Sequence, residues 1–393
     1  MPQTRRTFLR NASLLAASTT VAPFAIGRSL SRDPIGVGII GTGDRGTGLM
    51  RLIEDIEGLE VRAVCDVIDF RLAAAAKTAG ERAKSYVNYR ALLDDANVEA
   101  VLLATPYGMH GPHALDALDA GKHLYCEKTM ARGADVSRVL AKAEANSKQI
   151  FQTGHQWHSS ALFREVKAYV DKGWLGEVTG IHCQWNRNAS WRRPVPADRP
   201  ELERQINWRM YREYSGGMVA ELMSHQIDFA NWITGEHPSK ISGQGGIDHY
   251  KDGRETFDNV HLQMQYPGGL DATYTCTTIN KHGGFEVRVL GQKATAILDF
   301  EKGWLYHEDT RPAELGMVDG VTGATVTRWA VGEGVQIDAD GSDPTSQALV
   351  HFQEAIVSGR QPESNVHTGA VTAHCVDLGI RAAMAATTLE WDA

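Results

Sequence analysis

The chain has 393 residues, hydrophobic residues make up 42% of it, and its formal net charge at pH 7 is −8. This length exceeds what one hydrophobic core usually organises, so two packed domains are expected. The charges form no block of one sign. The sequence therefore shows no basic segment of the kind that binds nucleic acid or an anionic membrane. A small molecule is therefore the expected partner.

The N-terminal segment has the layout of an export signal. The pair Arg5-Arg6 precedes Phe-Leu and a further arginine, and a mildly apolar stretch then runs from Ala12 to Ala25. This order is typical of signal peptides, and the arginine pair resembles the twin-arginine signal, by which bacteria export folded proteins. We expect residues 1–30 to be a signal and leader, the twin-arginine machinery to be a partner, and the mature protein to be periplasmic or secreted. The stretch is too short to span a bilayer, so no membrane anchor is expected; an ordinary basic tail is the alternative.

A glycine-rich turn follows the first predicted strand. The apolar run Ile35 to Ile40 ends in a turn that contains Gly41, Gly43 and Gly46, and apolar residues at helical spacing follow from Thr47 to Ile56. In a strand–turn–helix unit of this kind, the first glycine permits the turn and the second lets backbone N–H groups approach a pyrophosphate. The third lets helix and strand pack closely. The segment predicts a dinucleotide site.

The second predicted strand, Glu60 to Cys65, ends in an acidic residue. Asp66 lies about twenty residues past the last glycine, where a carboxylate accepts hydrogen bonds from the adenosine ribose hydroxyls. Its charge would repel the 2′-phosphate of NADP, so NAD is favoured. Arg71 is near enough in sequence to moderate that preference.

Strand and helix signals keep alternating as far as residue 150. Strands are predicted at Val98 to Ala104 and His123 to Cys126, and helices after His110 and from Ala134 to Asn146. This alternation is typical of a doubly wound α/β domain. We assign residues 31–150 to an NAD-binding Rossmann domain.

The pattern changes from Phe151 onward, and residues 151–393 are assigned to a second, substrate-binding α/β domain. A helix is predicted at Ala161 to Lys172, and two more between Ser346 and Thr388. Segments that alternate as antiparallel strands with glycine turns between them are Val178 to Asn186, Asn259 to Tyr266, Leu270 to Thr278 and Phe285 to Leu290.

These features together resemble one enzyme family. The segments that carry the likeness are the glycine turn with Asp66, Thr105-Pro106 to His110, Ala120-Gly121-Lys122-His123, Cys126-Glu127-Lys128, and Gly216-Gly217 leading into His225. The sequence resembles the Gfo/Idh/MocA (glucose–fructose oxidoreductase and inositol dehydrogenase) family. The resemblance implies an N-terminal Rossmann domain and a C-terminal α/β domain with a large, mostly antiparallel sheet. It also implies a homo-oligomer.

The resemblance assigns roles to individual residues. Lys128 is expected to hydrogen-bond the reacting hydroxyl, His225 to be the general acid/base, and Glu221 to orient the substrate or His225. The residues expected to contact the cofactor are Gly41, Gly43, Arg45, Gly46, Asp66, Thr105, Pro106, His110, Glu127 and Lys128. The chain departs from the family pattern at Thr129, where proline is usual, and at Glu221, where many members have aspartate.

Aromatic, basic and amide residues are interleaved between Gln184 and Tyr214, a segment that precedes Glu221 and His225 in the chain. Carbohydrate sites need flat apolar faces for C–H surfaces and planar donors or amides for hydroxyls. The candidates for substrate binding are Gln156, Trp157, Trp185, Arg192 and Tyr211. Packing between the domains beside a solvated basic edge explains the same composition, and this alternative stays open.

No metal site is expected. The histidines that lie near the predicted site are His110, His113, His155 and His158, but no carboxylate or cysteine converges with them in the sequence. The five cysteines are scattered, and none forms a C-x-x-C pair. They are expected to be buried thiols.

The sequence therefore predicts an enzyme that transfers hydride between NAD and a ring hydroxyl of a sugar or glycoside. A dinucleotide carried through export must be re-oxidised or re-reduced in place, so the cofactor is expected to be tightly bound. An enzymatic alternative is a redox-neutral NAD-dependent glycosidase. The non-enzymatic alternative is a sugar-binding protein with an inactive Rossmann domain.

Overall fold

The computed structural model describes residues 33–308 and 334–391. The predicted export signal at residues 1–30 lies outside the described residues.

The first sheet is parallel and has six strands in the order β3-β2-β1-β4-β5-β6. The strands are β1 Ile35–Ile40, β2 Leu59–Cys65, β3 Lys84–Tyr86, β4 Ala100–Leu103, β5 His123–Cys126 and β6 Phe151–Thr153. This order is that of a Rossmann domain, in which ligands bind at the carboxyl ends of the strands where the order reverses. That reversal lies between β1 and β4.

Helices connect these strands and cover both faces of the sheet. They are α1 Asp44–Ile53, α2 Asp69–Ala79, α3 Tyr89–Leu93, α4 Tyr107–Asp119 and α5 Asp135–Ala145. β1 is buried at every position, which is typical of a strand covered on both faces. The sequence prediction of alternating strands and helices is confirmed for this part of the chain.

The first sheet extends past residue 150. Phe151–Thr153 pairs in parallel with β5, whereas the sequence prediction placed the change of pattern at Phe151. The predicted boundary therefore falls just before the last strand of the first sheet. A three-residue strand without clear alternation carries too little periodicity to be recognised.

The second sheet has nine strands in the order β14-β13-β12-β11-β7-β10-β9-β8-β15, mostly antiparallel, with β7 and β10 parallel. The strands are β7 Val178–Asn186, β8 Lys240–Gly246, β9 Asn259–Gln265, β10 Asp271–Thr277, β11 Phe285–Gly291, β12 Ala294–Leu298, β13 Gly303–His307, β14 Val335–Gln336 and β15 Thr388–Glu390. Buried residues alternate with more exposed ones along β9 and β10, so one face of the sheet packs on the core. The predicted fold class is confirmed.

Further helices lie in the described residues that follow β6. They are α6 Ala161–Asp171, α7 Ser224–Thr234, α8 Pro344–Ser358 and α9 Val366–Ala385, with a short helix at Glu203–Ile206, 3₁₀ turns at Gln156–Ser159, Pro200–Leu202, Trp208–Met210 and Pro267–Gly269, and a π-helical turn at Val219–Met223. Asp343 caps α8, and Asn365 begins α9 with a capping box. Leu349 and Phe352 of α8 pack into the core of the first sheet, so the end of the chain returns to the Rossmann domain.

All five cysteines are buried and free, as the sequence predicted. Among the helices in the described ranges, none has the length and apolar character required to cross a membrane.

Candidate active site

The glycine turn at the end of β1 has the geometry of a dinucleotide cradle. Gly41 has a φ of +89°, and a Cβ atom there would lie 2.7 Å from the main-chain oxygen of Ala104. A Cβ at Gly46 would lie 1.9 Å from the oxygen of Gly41, so helix and strand meet too closely for a side chain. At Gly43 the nearest atom is Arg71 Nη1, 3.8 Å away, which leaves room above the turn. The turn therefore fits a pyrophosphate.

Asp66 is held beside this turn. Its Oδ2 accepts hydrogen bonds from Thr42 N at 2.8 Å and Thr42 Oγ1 at 3.1 Å, and its Oδ1 accepts one from Ile68 N at 2.9 Å. The carboxylate is thereby fixed at the carboxyl end of β2, where a ribose would lie. Arg71, whose guanidinium approaches Gly43, is the nearby cation that the sequence suggested.

Lys128 lies just past the end of β5. Its Nζ donates to the main-chain oxygen of Glu221 at 2.7 Å. Burial lowers the pKa of Lys128 below its ordinary value, although the charges of Glu221 and Glu127 oppose that shift. Glu127 is itself buried and its Oε1 accepts from Arg45 Nε at 2.5 Å. A buried amine gives up its proton more readily than an exposed lysine, which suits a group that takes part in proton transfer.

His110 joins two loops of the site. Its Nδ1 lies 2.7 Å from the oxygen of Thr129 and its Nε2 lies 2.8 Å from the oxygen of Thr105. Pro106 is the N-cap residue of α4, which contains His110. The hydroxyl of Thr129 donates to the oxygen of Ala220 at 3.1 Å, so the departure from proline leaves this loop attached to the second domain. A neutral imidazole carries a single N–H, so one of the two carbonyl oxygens, that of Thr129 or that of Thr105, accepts a hydrogen bond from His110, which ties α4 to that loop.

Glu221 and His225 come from a distorted helical segment. Residues four apart share one face of a regular helix, but Glu221 lies in the π-helical turn Val219–Met223 and His225 in α7. Turns of this kind inside helices are frequent at functional sites. Glu221 Oε2 accepts from Arg209 Nε at 3.1 Å. Burial, followed by the charges of Lys128 and other nearby cations, lowers the pKa of His225 well below its ordinary value.

These side chains meet at a cavity of about 200 Å³ at the carboxyl end of the first sheet. Its lining residues are Arg45, Ala104, Thr105, Tyr107, His110, Glu127, Lys128, Gln156, Trp208, Arg209, Glu221 and His225. An amine, an imidazole and a carboxylate thus face one space next to the dinucleotide cradle. This arrangement suits proton transfer to or from a hydroxyl.

The predicted substrate residues divide into two groups. Gln156 lines the cavity, whereas Trp157 and Trp185 are buried, with ring centroids 5.3 Å and 5.9 Å from that of His225. Their rings pack against the ring of His225 and form an aromatic cluster with Phe163 and Phe285.

Arg192 and Tyr211 lie outside the cavity lining. Both contact the carboxylate of Glu203, and Arg192 Nη2 also donates to the main-chain oxygen of Asp252 at 2.8 Å. These contacts of Arg192 and Tyr211 lie within the second domain. Residues that line the cavity but were absent from the chosen candidates are Tyr107, Trp208 and Arg209. All three lie within segments that the sequence singled out.

A segment that we call the strap, residues 187–212, contacts the rim of the dinucleotide cradle. Arg193 Nη2 is 2.7 Å from Oδ2 of Asp44, the first residue of α1, and Arg199 Nη1 is 3.2 Å from Oδ2 of Asp69, the first residue of α2. Leu202 and Ile206 of the strap pack against Ile68, two residues past Asp66. The strap therefore contacts both helix starts beside which a dinucleotide would lie.

Within the described residues, no group of three or more His, Cys, Asp or Glu side chains has the arrangement of a metal site. His155 and His158 both face Asp228 and lie behind the cavity.

Two family models match the chain. One, described as the oxidoreductase family with an NAD-binding Rossmann fold, matches residues 35–155, and the other, the GFO/IDH/MocA C-terminal domain, matches residues 163–297.

Curated relatives match over part of their length. An inositol 2-dehydrogenase from Salmonella paratyphi B is 30% identical over 204 residues, which are 51% of this chain and 54% of the relative. A glycosyl hydrolase family 109 protein from Shewanella species strain ANA-3 is 35% identical over 298 residues, which are 67% of this chain and 64% of the relative. The chain thus spans about half the length of the inositol dehydrogenase that it matches.

Among solved structures, levoglucosan dehydrogenase in complex with NADH and levoglucosan has a TM-score of 0.73 and 17% identity. The match covers 91% of this chain and 99% of that one. At this identity the likeness establishes the fold alone.

Proposed function

Because this chain belongs to the Gfo/Idh/MocA family of oxidoreductases, we propose that it transfers hydride between NAD and a ring hydroxyl of a sugar or glycoside. The observation that carries the proposal is the meeting of Lys128, Glu221 and His225 at one cavity beside the dinucleotide cradle. NAD, when bound in the cradle, supplies the hydride acceptor or donor.

The residues of this chain handle the proton. Lys128 Nζ, already oriented by the oxygen of Glu221, donates a hydrogen bond to the reacting hydroxyl and holds its carbon toward the cradle. His225 is buried and uncharged near neutral pH, since burial lowers its pKa, and it takes the hydroxyl proton as general base. The carboxylate of Glu221, fixed by Arg209, accepts hydrogen bonds from a neighbouring hydroxyl. Gln156 and Trp208 supply further contacts.

NAD is preferred over NADP in this proposal. Asp66 is fixed by Thr42 and Ile68 at the end of β2, where its charge favours ribose hydroxyls and repels a 2′-phosphate. Arg71 stands above Gly43 and reduces that repulsion without supplying a dedicated phosphate site.

The cofactor stays bound between turnovers. The support is the strap, whose arginines reach Asp44 and Asp69 and whose apolar side chains cover Ile68. A dinucleotide in the cradle leaves only when these contacts open. Oxidation of one sugar and reduction of a second carbonyl substrate at the same site then complete the cycle.

Export in folded form agrees with a retained cofactor, because a dinucleotide bound in the cytoplasm travels with the protein. The pair Arg5-Arg6 carries this part of the proposal. Replacing both arginines by lysine is expected to leave a folded, cofactor-loaded protein in the cytoplasm. An unchanged periplasmic yield would contradict it.

The protein is also proposed to be a homo-oligomer. The proposed contact surface is the face of the second sheet on which His261, Gln263 and Gln265 of β9 are exposed. Light scattering on purified protein tests it, and a monomer mass would refute it.

The oxidoreductase proposal is tested with protein that lacks residues 1–30. Acid extraction and chromatography are expected to release NAD or NADH, and addition of monosaccharides or glycosides is expected to change the nicotinamide absorbance. Absence of both a bound dinucleotide and any affinity for NAD would remove the proposal.

The likeness to a glycosyl hydrolase family 109 protein supports a second candidate function. Oxidation at C3 of a glycoside makes the C2 proton acidic, so that His225 or a neighbouring tyrosine can remove it and the C1 substituent can leave. Tyr107 is the tyrosine among the residues that line the cavity. Addition of water and reduction at C3 complete hydrolysis with no net redox change.

Aryl glycosides in D₂O distinguish the two functions. A 3-keto product or accumulating NADH, without release of the aryl group, supports the oxidoreductase. Release of the aryl group with deuterium at C2 and no net NADH supports the glycosidase.

A further inference from the structure

A buried cluster of polar side chains lies directly behind His225. At its centre is Asp228 of α7, which is only 2% exposed. Its Oδ2 accepts from His158 Nε2 at 2.8 Å, and its Oδ1 accepts from Thr372 Oγ1 at 3.1 Å. Burial alone would raise the pKa of Asp228, but the facing His155 and His158 lower it overall. The carboxylate is therefore a fixed negative charge one layer below the active site.

His155 lies between this carboxylate and His225. Its Nδ1 is 3.4 Å from Asp228 Oδ1, and its ring meets that of His225 edge to face, with centroids 5.8 Å apart. Within the described residues, both ring nitrogens of His155 and Nδ1 of His225 are buried without a hydrogen-bond partner. Buried polar atoms are rarely left unpaired. The two imidazoles do not hydrogen-bond each other in this arrangement, and a rotation of either side chain would bring one unpaired nitrogen of each ring together.

We propose that His155 and Asp228 are positioning residues that fix the tautomer of His225. Asp228 accepts the Nδ1 proton of His155, and Nε2 of His155 accepts the Nδ1 proton of His225. His225 Nε2 then carries a lone pair toward the cavity, as a general base requires. When His225 takes a substrate proton on Nε2, both of its nitrogens are protonated, and the carboxylate stabilises that cation through His155. No atom is lost or gained beyond the substrate proton.

The charges around the pair agree with this arrangement. The charges of Lys128 and Arg45 near His225 disfavour a second proton on its ring before the substrate arrives. Lys128 and Glu127 also face His155, along with Asp228 and His158. Asp228 accepts from His158 and Thr372, and a carboxylate has acceptor capacity left for a third donor, His155. The inference rests on the proposed role of His225 as general base.

Nitrogen-15 NMR of the cofactor-loaded enzyme with ring-labelled histidine tests the proposal. His225→Asn identifies the resonances of His225. We expect His225 in the wild-type enzyme to carry its proton on Nδ1, and we expect Asp228→Asn and His155→Gln to shift it toward the Nε2-protonated form. Both variants are expected to lower kcat by a factor of about 10 to 10², with less than a threefold change in KM.

Asn231→Leu is the matched control. Asn231 lies on the same helix and accepts a hydrogen bond from Tyr266 at 2.7 Å, so its loss weakens packing without touching His155. This variant is expected to keep the tautomer and kcat of the wild type.

The protonated nitrogen of His225 in the wild-type enzyme tests the inference by itself, even if a variant fails to fold. A proton on Nε2 of His225 in that enzyme would overturn it, as would an unchanged tautomer in both folded variants. The predicted tautomer in a protein that neither holds NAD nor oxidises sugars would leave the positioning intact and refute the proposed function instead.

Discussion

Lys128 Nζ and the main-chain oxygen of Glu221 lie 2.7 Å apart, and this hydrogen bond joins the end of the fifth Rossmann strand to the π-helical turn before His225. The bond orients the amine without using the carboxylate of Glu221, which Arg209 holds separately. The proposed proton-handling groups are therefore positioned by the meeting of two domains.

Lys128→Ala and His225→Ala are each expected to lower turnover by a factor of about 10² or more, because both groups act on the proton in the transition state. NAD content is expected to stay near the wild-type value. Lys167→Ala, which removes an exposed ion pair on α6, is the control. Normal turnover in both active-site variants would show that the assignment is wrong.

Asp66→Ala is expected to weaken NAD binding about tenfold, which corresponds to the roughly 1.4 kcal/mol of a charge-assisted hydrogen bond. Binding of NADP should change less, because the same substitution removes a repulsive charge. Titration of both dinucleotides against cofactor-stripped protein measures the ratio. An equal loss for the two cofactors would contradict the proposed ribose contact.

Arg193→Ala combined with Arg199→Ala is expected to speed dinucleotide exchange by a factor of roughly 3 to 10, since exposed ion pairs are individually weak. Exchange of bound cofactor against labelled NAD measures the rate, and kcat at saturating NAD should be retained. Arg288→Ala, which removes an exposed pair on the second sheet, is the control. The same exchange rate in the wild type, the double variant and the control would remove the role of the strap.

The protein is expected to lose stability as the pH falls from about 6.5 to about 4. Burial lowers the pKa of His113 and of His155 to about 4, whereas an unfolded histidine titrates near 6.5. In that window the unfolded chain binds more protons, so acid favours unfolding. Carboxylates such as Asp95 and Asp252, whose pKa values are lowered, lose their contribution only at lower pH.

Urea unfolding at about pH 7.5 and about pH 5 measures this dependence. His113→Gln is expected to flatten it, because glutamine carries no titrating group into either state. A midpoint that does not change between the two pH values would refute the prediction.

The sequence alone determined the features that depend on near neighbours in the chain. Gly41, Gly46 and Asp66 belong to one strand–turn–helix–strand unit, in which the close approach of backbone and the end of a strand dictate the residue types. The resemblance to a family added the roles of Lys128, His225 and Glu221, and the structure places all three side chains at one cavity.

The contacts of the other polar and aromatic residues are decided only by the tertiary structure. Arg192 hydrogen-bonds Glu203 and Asp252, while Trp157 and Trp185 are buried and pack against His225. An indole ring has the same composition whether it faces a sugar or a core, and an arginine pairs with whichever carboxylate the fold brings near. His155 and Asp228 are 73 residues apart in the chain, and no local pattern encodes their contact. Periodicity and turn chemistry act over a few residues, whereas such long-range pairs are set by the packing of the two sheets.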